Sequence, residues 1–243
     1  MPEQLIFTEF LNHYFGGLAN ALLRAVGVHP AYASAPITNT VAMEILATLL
    51  LIVFFLAVRA TLSVETPGGL QHTAEMVEEF VSEQAEGIIG HGYERYLPYA
   101  ITIGFFILIC NLLGLIPGFE SPTANPSVPL GCAVLTFLYY HFHGIRTHGF
   151  HYVKQFAGPV LLLSPLMIVI ELVSHFARIL SLTVRLYANM FAGDLVTMAF
   201  FSLVPVLVPV LFLSLHLGVA LVQTFIFVML TLVYLGLAVS EEH

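Results

Sequence analysis

Residues 171–194 run Glu171-Leu-Val-Ser174-His-Phe-Ala-Arg178-Ile-Leu-Ser181-Leu-Thr-Val-Arg185-Leu-Tyr-Ala-Asn189-Met-Phe-Ala-Gly-Asp194, between two apolar runs. Glu171, Arg178, Arg185 and Asp194 carry full charges within it. A charge at bilayer depth costs several kcal/mol or more, so it marks a pairing or a transport role. The chemistry on offer is proton handling. A carboxylate or an imidazole takes up and releases protons, whereas an arginine, with a pKa above ~12, keeps its charge. At about 100° per residue, Glu171, Ser174, Arg178, Ser181, Arg185, Asn189 and Ala192 fall within roughly 40° of one line, and Asp194 points the opposite way. A narrow stripe of polar and small residues faces protein or water, not lipid. In the next apolar run His216, Gln223 and Tyr234 also share a face within about 40°.

The elements that must position these residues lie in a bilayer. The chain has 243 residues, 58% hydrophobic and 9% charged, with a mean hydropathy of +0.93. A soluble domain is about 25% charged. The expected fold class is therefore an all-α integral membrane protein, one membrane domain over 1–243. The net charge of −8 comes mainly from acidic residues in 65–94 and the tails, which argues against a nucleic-acid partner. Cys110 and Cys132 sit in apolar runs and read as small core residues rather than a disulfide. The N-terminus lacks the pattern of a signal peptide. No internal repeat is evident, which disfavours repeat-built transporters.

About five spans are expected, together with amphipathic surface helices. Residues 3–26 mix Glu3, Glu9, Asn12, His13 and Arg24 with apolar residues at helical spacing and predict a surface helix. Pro30–Pro36 reads as a linker. Residues 37–58 are long enough for a core of ~30 Å, with Glu44 near the interface. Residues 65–94 carry Glu75, Glu78, Glu79, Glu83 and Glu86 interleaved with Met76, Val77, Phe80 and Val81. They predict a second surface helix, and its acidic face favours a protein partner over anionic lipid. Residues 97–116 and 130–142 are further spans. His141, His143, His148 and His151 follow with Arg146 and Lys154. Gly144 and Gly149 argue for a polar membrane-edge loop there rather than a metal site.

Residues 159–240 admit three spans or one long helical hairpin turning near Pro205 and Pro209. The positive-inside rule favours the hairpin. It leaves Arg59, Arg95, Arg146 and Lys154 on the cytoplasmic side with the C-terminus, and only Arg24 outside. Counting from Pro205 puts Asp194 level with His216, Arg185 level with Gln223, and Glu171 and Ser174 nearer the cytoplasm. A helix from Pro165 to Phe201 is roughly 55 Å long and must tilt or curve.

The run Ser181-Leu-Thr-Val-Arg185-Leu-Tyr-Ala-Asn189-Met-Phe-Ala-Gly193 resembles subunit a of F-type ATP synthases. The likeness extends to Asn111-Leu-Leu-Gly-Leu-Ile-Pro117, to Leu221-Val-Gln223-Thr-Phe-Ile-Phe227 and to the tail Ser240-Glu-Glu-His243. It implies a stator subunit of the F0 sector in a bacterial inner membrane, multi-pass, which translocates protons but is no enzyme on its own. It implies as partners a c-subunit ring, peripheral-stalk b subunits and the lipid bilayer, with no cofactor and no metal. By the resemblance Arg185 is the essential arginine separating two half-channels, with Asn189 and Gln223 as its polar neighbours. Asp194 and His216 resemble the outer half-channel pair, and Glu171 with Ser174 the inner one. Ile179 stands where the family commonly has a proline, and Asp194 where it often has glutamate or histidine. Arg178 reads either as a pathway residue or as an ion-pair partner of Glu171. His175 reads as a packing residue and Tyr234 as an interface aromatic. The rival classes are a secondary ion transporter, a Na⁺-coupled version of the same machine, and a haem-binding redox subunit, for which paired histidines at matched depth are missing.

Overall fold

The computed structural model describes residues 4–25, 27, 32, 34–63, 68–116, 118–149, 152, 164–203 and 207–239, with the backbone alone at 201–203 and 207–209. Among them seven α-helices occur and no strand: α1 (Ile6–Ala25), α2 (Asn39–Ala60), α3 (Gly69–Ile89), α4 (Leu97–Leu113), α5 (Ser127–His148), α6 (Ser164–Leu203) and α7 (Leu207–Val239). Four of them, α2, α5, α6 and α7, are long and apolar enough to cross a membrane, and α4 is a shorter apolar helix. The expected all-α membrane architecture is what the chain forms. The proline-rich linker around Pro30, the turn residue Pro205, His151, Lys154 and the tail 240–243 lie outside the described residues.

Local chemistry sets the helix starts. Thr38 caps α2 by accepting the Val41 N–H on its hydroxyl at 3.3 Å. Asn12 of α1 both donates to the Ile37 carbonyl and accepts from the Ile37 N–H, each at 3.0 Å, so α1 is strapped to the entry of α2. That leaves Ile6, Phe10, Tyr14, Leu18 and Leu22 exposed at four-residue spacing, an apolar stripe along α1.

α3 corrects its expectation. The helix is 69–89, shorter than 65–94, and it ends in a turn where Gly90 and Gly92 take positive φ. Its apolar face does not wait for another protein. Val81 and Ala85 pack with Leu97 and Ala100 of α4 and with Val228 and Leu232 of α7. The glutamates stay exposed, and with them Leu70, Met76 and Phe80.

α5 also differs. It continues six residues past 142 to His148 and ends at Gly149, whose φ is +57°. Gly144 does not break it. An added Cβ there would come 2.5 Å from the Tyr152 ring, so this glycine makes room for an aromatic rather than ending a helix. The expected polar loop at His141–His148 is therefore the last two turns of a span. Among the described residues no group of three or more His, Cys, Asp or Glu could hold a metal.

The centre of the molecule is the α6–α7 pair packed on α4 and α5. Leu182, Leu186 and Met190 of α6 meet Ala220 and Phe227 of α7, and Ile103, Ile107, Cys132 and Ala133 close the core. Asn111, Ser121 and Thr123, buried beside it, are bonded to one another or to the backbone, as burial without partners would cost about 1–3 kcal/mol each. Asn111 is fully buried and accepts from Thr123 Oγ1 at 2.6 Å, and Ser121 donates to the Cys110 carbonyl at 3.1 Å. This network seats the 3₁₀ turn Pro122–Ala124 against the end of α4. α6 has 40 residues, roughly 60 Å at 1.5 Å per residue, about twice the bilayer core.

Candidate functional site

The α6–α7 hairpin brings its polar residues together in three steps along its length. Nearest the turn, His216 Nδ1 lies 3.8 Å from Asp194 Oδ1. The imidazole is 4% exposed, and its Nε2 sits 3.4 Å from Met190 Sδ. Gly193 makes this possible, because a Cβ at that position would stand 2.8 Å from the His216 ring. In the middle, Asn189 Nδ2 donates to Gln223 Oε1 at 2.9 Å. Towards the far end, the Arg178 guanidinium lies 5.1 Å over the Tyr234 ring. The pairs 194–216, 189–223 and 178–234 are centred on positions 205–206, the register of an antiparallel hairpin.

Two depth expectations change. Gln223 is level with Asn189 rather than with Arg185, one turn away. Arg178 and Glu171 form no ion pair. Arg178 stacks on Tyr234 as a cation over a ring, and Glu171 is engaged by His175. Tyr234 is thus half-buried in the helix packing, beneath the Arg178 guanidinium.

The end of α6 that carries Glu171 holds residues that sequence reasoning set aside. His175 Nδ1 is 2.8 Å from the Glu171 carbonyl and 3.3 Å from its carboxylate. The His175 ring stacks on His141 of α5 with centroids 4.8 Å apart, and His141 Nδ1 meets the Tyr152 hydroxyl at 2.7 Å. Burial pushes the Tyr152 phenol up to about 12, so it stays a hydroxyl. His175 is a packing residue as expected, and it also orients Glu171. Ser174 lies half-buried on the same stretch of α6. His141 and Tyr152 gave no periodic signal, since they come from different segments. The one available clue was a glycine inside the helix at 144.

Arg185 differs from the rest. Its Nη2 donates to Ser181 Oγ at 3.2 Å, one turn back. Among the described residues no carboxylate lies within ion-pair distance of it. Ser181, Asn189 and Ala192 are exposed and Arg185 is half-buried, so among the described residues the stripe is an uncovered flank of α6. Leu182, Leu186 and Met190 turn the neighbouring side of the helix into the core. Large apolar residues, among them Phe176, Leu180, Phe191 and Leu195, are exposed on the rest of α6. An arginine between apolar surfaces calls for a counter-charge, and the described residues place none within ion-pair distance.

Residues 41–236 match the family described as ATP synthase A chain. Curated relatives align along nearly their whole length. ATP synthase subunit a of Koribacter versatilis (strain Ellin345) is 58% identical over 244 residues, covering 100% of both chains. That of Solibacter usitatus (strain Ellin6076) is 48% identical over 96% of this chain and 99% of its own. ATP synthase subunit a 3 of Pelobacter propionicus is 38% identical over 100% of each. The arginine-centred flank, the helical hairpin and these matches agree: the chain belongs to the ATP synthase A chain family.

Proposed function

We propose that this chain is the proton-conducting stator subunit of a rotary ATP synthase, working against a ring of c subunits with Arg185 as the separator of two half-channels. The observation that carries this reading is the unpaired Arg185 on an uncovered polar flank of α6. The missing counter-charge is then a ring carboxylate presented by another chain. An ionised carboxylate cannot enter lipid, because the Born cost is tens of kcal/mol, so it must be protonated before it leaves the stator. Facing Arg185 it is favoured in its ionised form and gives up its proton. Arginine does not titrate, so no proton crosses directly from one half-channel to the other.

Asp194 and His216 are the donors of the outer half-channel, and Glu171 with Ser174 line the inner one. Asn189 and Gln223, bonded to each other, set the polar environment beside Arg185. Arg178 serves the inner end through Tyr234. The driving force is about 2.3 kcal/mol per proton per 100 mV. The ends of α2 and α5 and the start of α4 carry Arg59, Arg146 and Arg95. Their clustering supports a cytoplasmic location for that side and for the C-terminus, in a bacterial inner membrane. Peripheral-stalk b subunits complete the stator, and the ATP chemistry belongs to other chains.

Arg185 is the test. Arg185→Lys keeps a cation but loses the planar two-donor fork and can deprotonate when desolvated. It is expected to abolish ATP-driven pumping in membrane vesicles while the subunit still assembles. Arg185→Ala is expected to let protons leak through vesicles stripped of the catalytic head. Near wild-type pumping by Arg185→Lys would overturn the assignment.

A further inference from the structure

Behind Glu171 three segments of the chain meet in a cluster of rings. Glu171 and His175 lie on α6, Phe137, Tyr140 and His141 on α5, and Tyr152 beyond the end of α5. The contact of His175 with the backbone fixes which ring nitrogen carries a proton. Nδ1 lies 2.8 Å from the Glu171 carbonyl oxygen, and a carbonyl oxygen only accepts, so Nδ1 is an N–H. The same N–H stands 3.3 Å from Glu171 Oε1. It points at the carboxylate as long as the ring keeps its plane, and a turn about χ2 would carry it off both oxygens.

That torsion has broad wells, so the ring does not hold its plane by itself. Its neighbours on α5 hold it. His141 stacks on His175 with centroids 4.8 Å apart and planes 25° from parallel, and Phe137 meets the ring edge-on at 6.2 Å. The plane of His141 is set in turn. Its Nδ1 meets the Tyr152 hydroxyl at 2.7 Å, and Phe137 stands against it at 4.3 Å and 73°. Tyr152 is seated as well, 6% exposed, with its ring in the space that the missing side chain of Gly144 leaves.

Resting on the reading of Glu171 as a proton-pathway residue, we propose that His141 and Tyr152 are positioning residues of that pathway. Tyr152 orients His141, His141 orients His175, and the His175 Nδ1–H holds the Glu171 carboxylate. A carboxylate that accepts such a bond is favoured as the ion, so the chain of rings sets how readily Glu171 takes up a proton. Among the described residues, the other charged or titratable groups around it are Arg178, over the Tyr234 ring, and the phenols of Tyr140, Tyr152 and Tyr234. Phenols are uncharged near neutral pH and arginine keeps its charge, so the pH dependence belongs to Glu171 and the two imidazoles.

The test is passive proton uptake by vesicles stripped of the catalytic head, with the pH varied on the side of Glu171 and assembly checked by immunoblot. Tyr152→Phe keeps the ring and removes the hydroxyl. It is expected to lower uptake on the order of fivefold, and to move the midpoint of the pH profile upward by roughly one unit. His141→Phe keeps a ring in the stack and loses Nδ1. It should behave alike, and adding Tyr152→Phe to it should cost nothing further. Both should be silent in a His175→Ala background, which already carries the shifted profile. Wild-type uptake by Tyr152→Phe, losses that add, or a loss equal at every pH would overturn the proposal and leave the cluster as packing. Glu171→Gln separates the two readings. Normal uptake in that variant would overturn the pathway role of Glu171 itself, whereas lost uptake beside an unaffected Tyr152→Phe would overturn the positioning chain alone.

Discussion

Replacing Gly193 by alanine probes the Asp194–His216 pair without touching a titrating group. An ideal Cβ at 193 lies 2.8 Å from Cε1 and Nδ1 of His216 and 3.2 Å from its Cγ. Ordinary contacts between such atoms are about 3.5–4.0 Å, so the ring must retreat by roughly 0.7 Å. It has little room to rotate, being 4% exposed with Nε2 against Met190 Sδ at 3.4 Å. Either the helices separate or the imidazole draws away from Asp194, from which it already stands 3.8 Å. Overpacking of this kind costs about 1–3 kcal/mol. A misplacement of about 1 Å can cost a hundredfold in rate, so a displacement of this size is expected to lower proton flux on the order of tenfold. The assay is passive proton uptake by vesicles stripped of the catalytic head, with assembly checked by immunoblot. Gly218→Ala is the control on the partner helix, because a Cβ there meets nothing within 4 Å. It should conduct normally. In a His216→Ala background the ring is gone and Gly193→Ala should add no further loss. Full flux in Gly193→Ala, or a loss that simply adds to that of His216→Ala, would refute the reasoning.

Three other outcomes follow from the hairpin. Cysteines at 194 and 216 should cross-link readily and cysteines at 171 and 216 should not; efficient 171–216 linking would sink the antiparallel register. Asn189→Ala removes the donor to Gln223, which is 3% exposed. It should destabilise the assembled subunit by about 1–3 kcal/mol in thermal unfolding, through the stranded carbonyl. The double variant with Gln223→Leu should recover part of that loss, and a strictly additive loss would show that the bond does not couple the two sites. Gly144→Ala should displace the Tyr152 ring, 2.5 Å from the added Cβ. Thermal unfolding of the assembled subunit should then show a loss of about 1–3 kcal/mol that shrinks in a Tyr152→Ala background, and an equal loss in both backgrounds would show that the ring has another seat.

The sequence by itself determined the solvent, the helices and the candidate residues. Hydropathy and the scarcity of charge dictate a bilayer, because burying so much apolar surface in a soluble fold of this length is not feasible. Helical period then aligns Ser181, Arg185, Asn189 and Ala192 without reference to any other element. A symmetric count about residue 205 was enough to set Asp194 opposite His216, since both helices rise by the same 1.5 Å per residue from where the chain reverses. Tertiary structure decided what periodicity cannot encode. Whether Gln223 meets Arg185 or Asn189 depends on one turn of helix, about 5.4 Å, and on which flank each residue occupies. Gly144 reads as a breaker because sequence rules see its backbone freedom, whereas its place in α5 is fixed by the Tyr152 ring that fills the missing side chain. Amphipathicity of α3 reports that its apolar face must be covered, not by what; part of the cover is α4 and α7 of the same chain. Arg178 could have paired with Glu171 by spacing alone; His175 engages that carboxylate and Tyr234 takes the guanidinium. Only with every helix in place does Arg185 stand out, because the absence of a counter-charge is a property of its surroundings, and surroundings come from the whole fold.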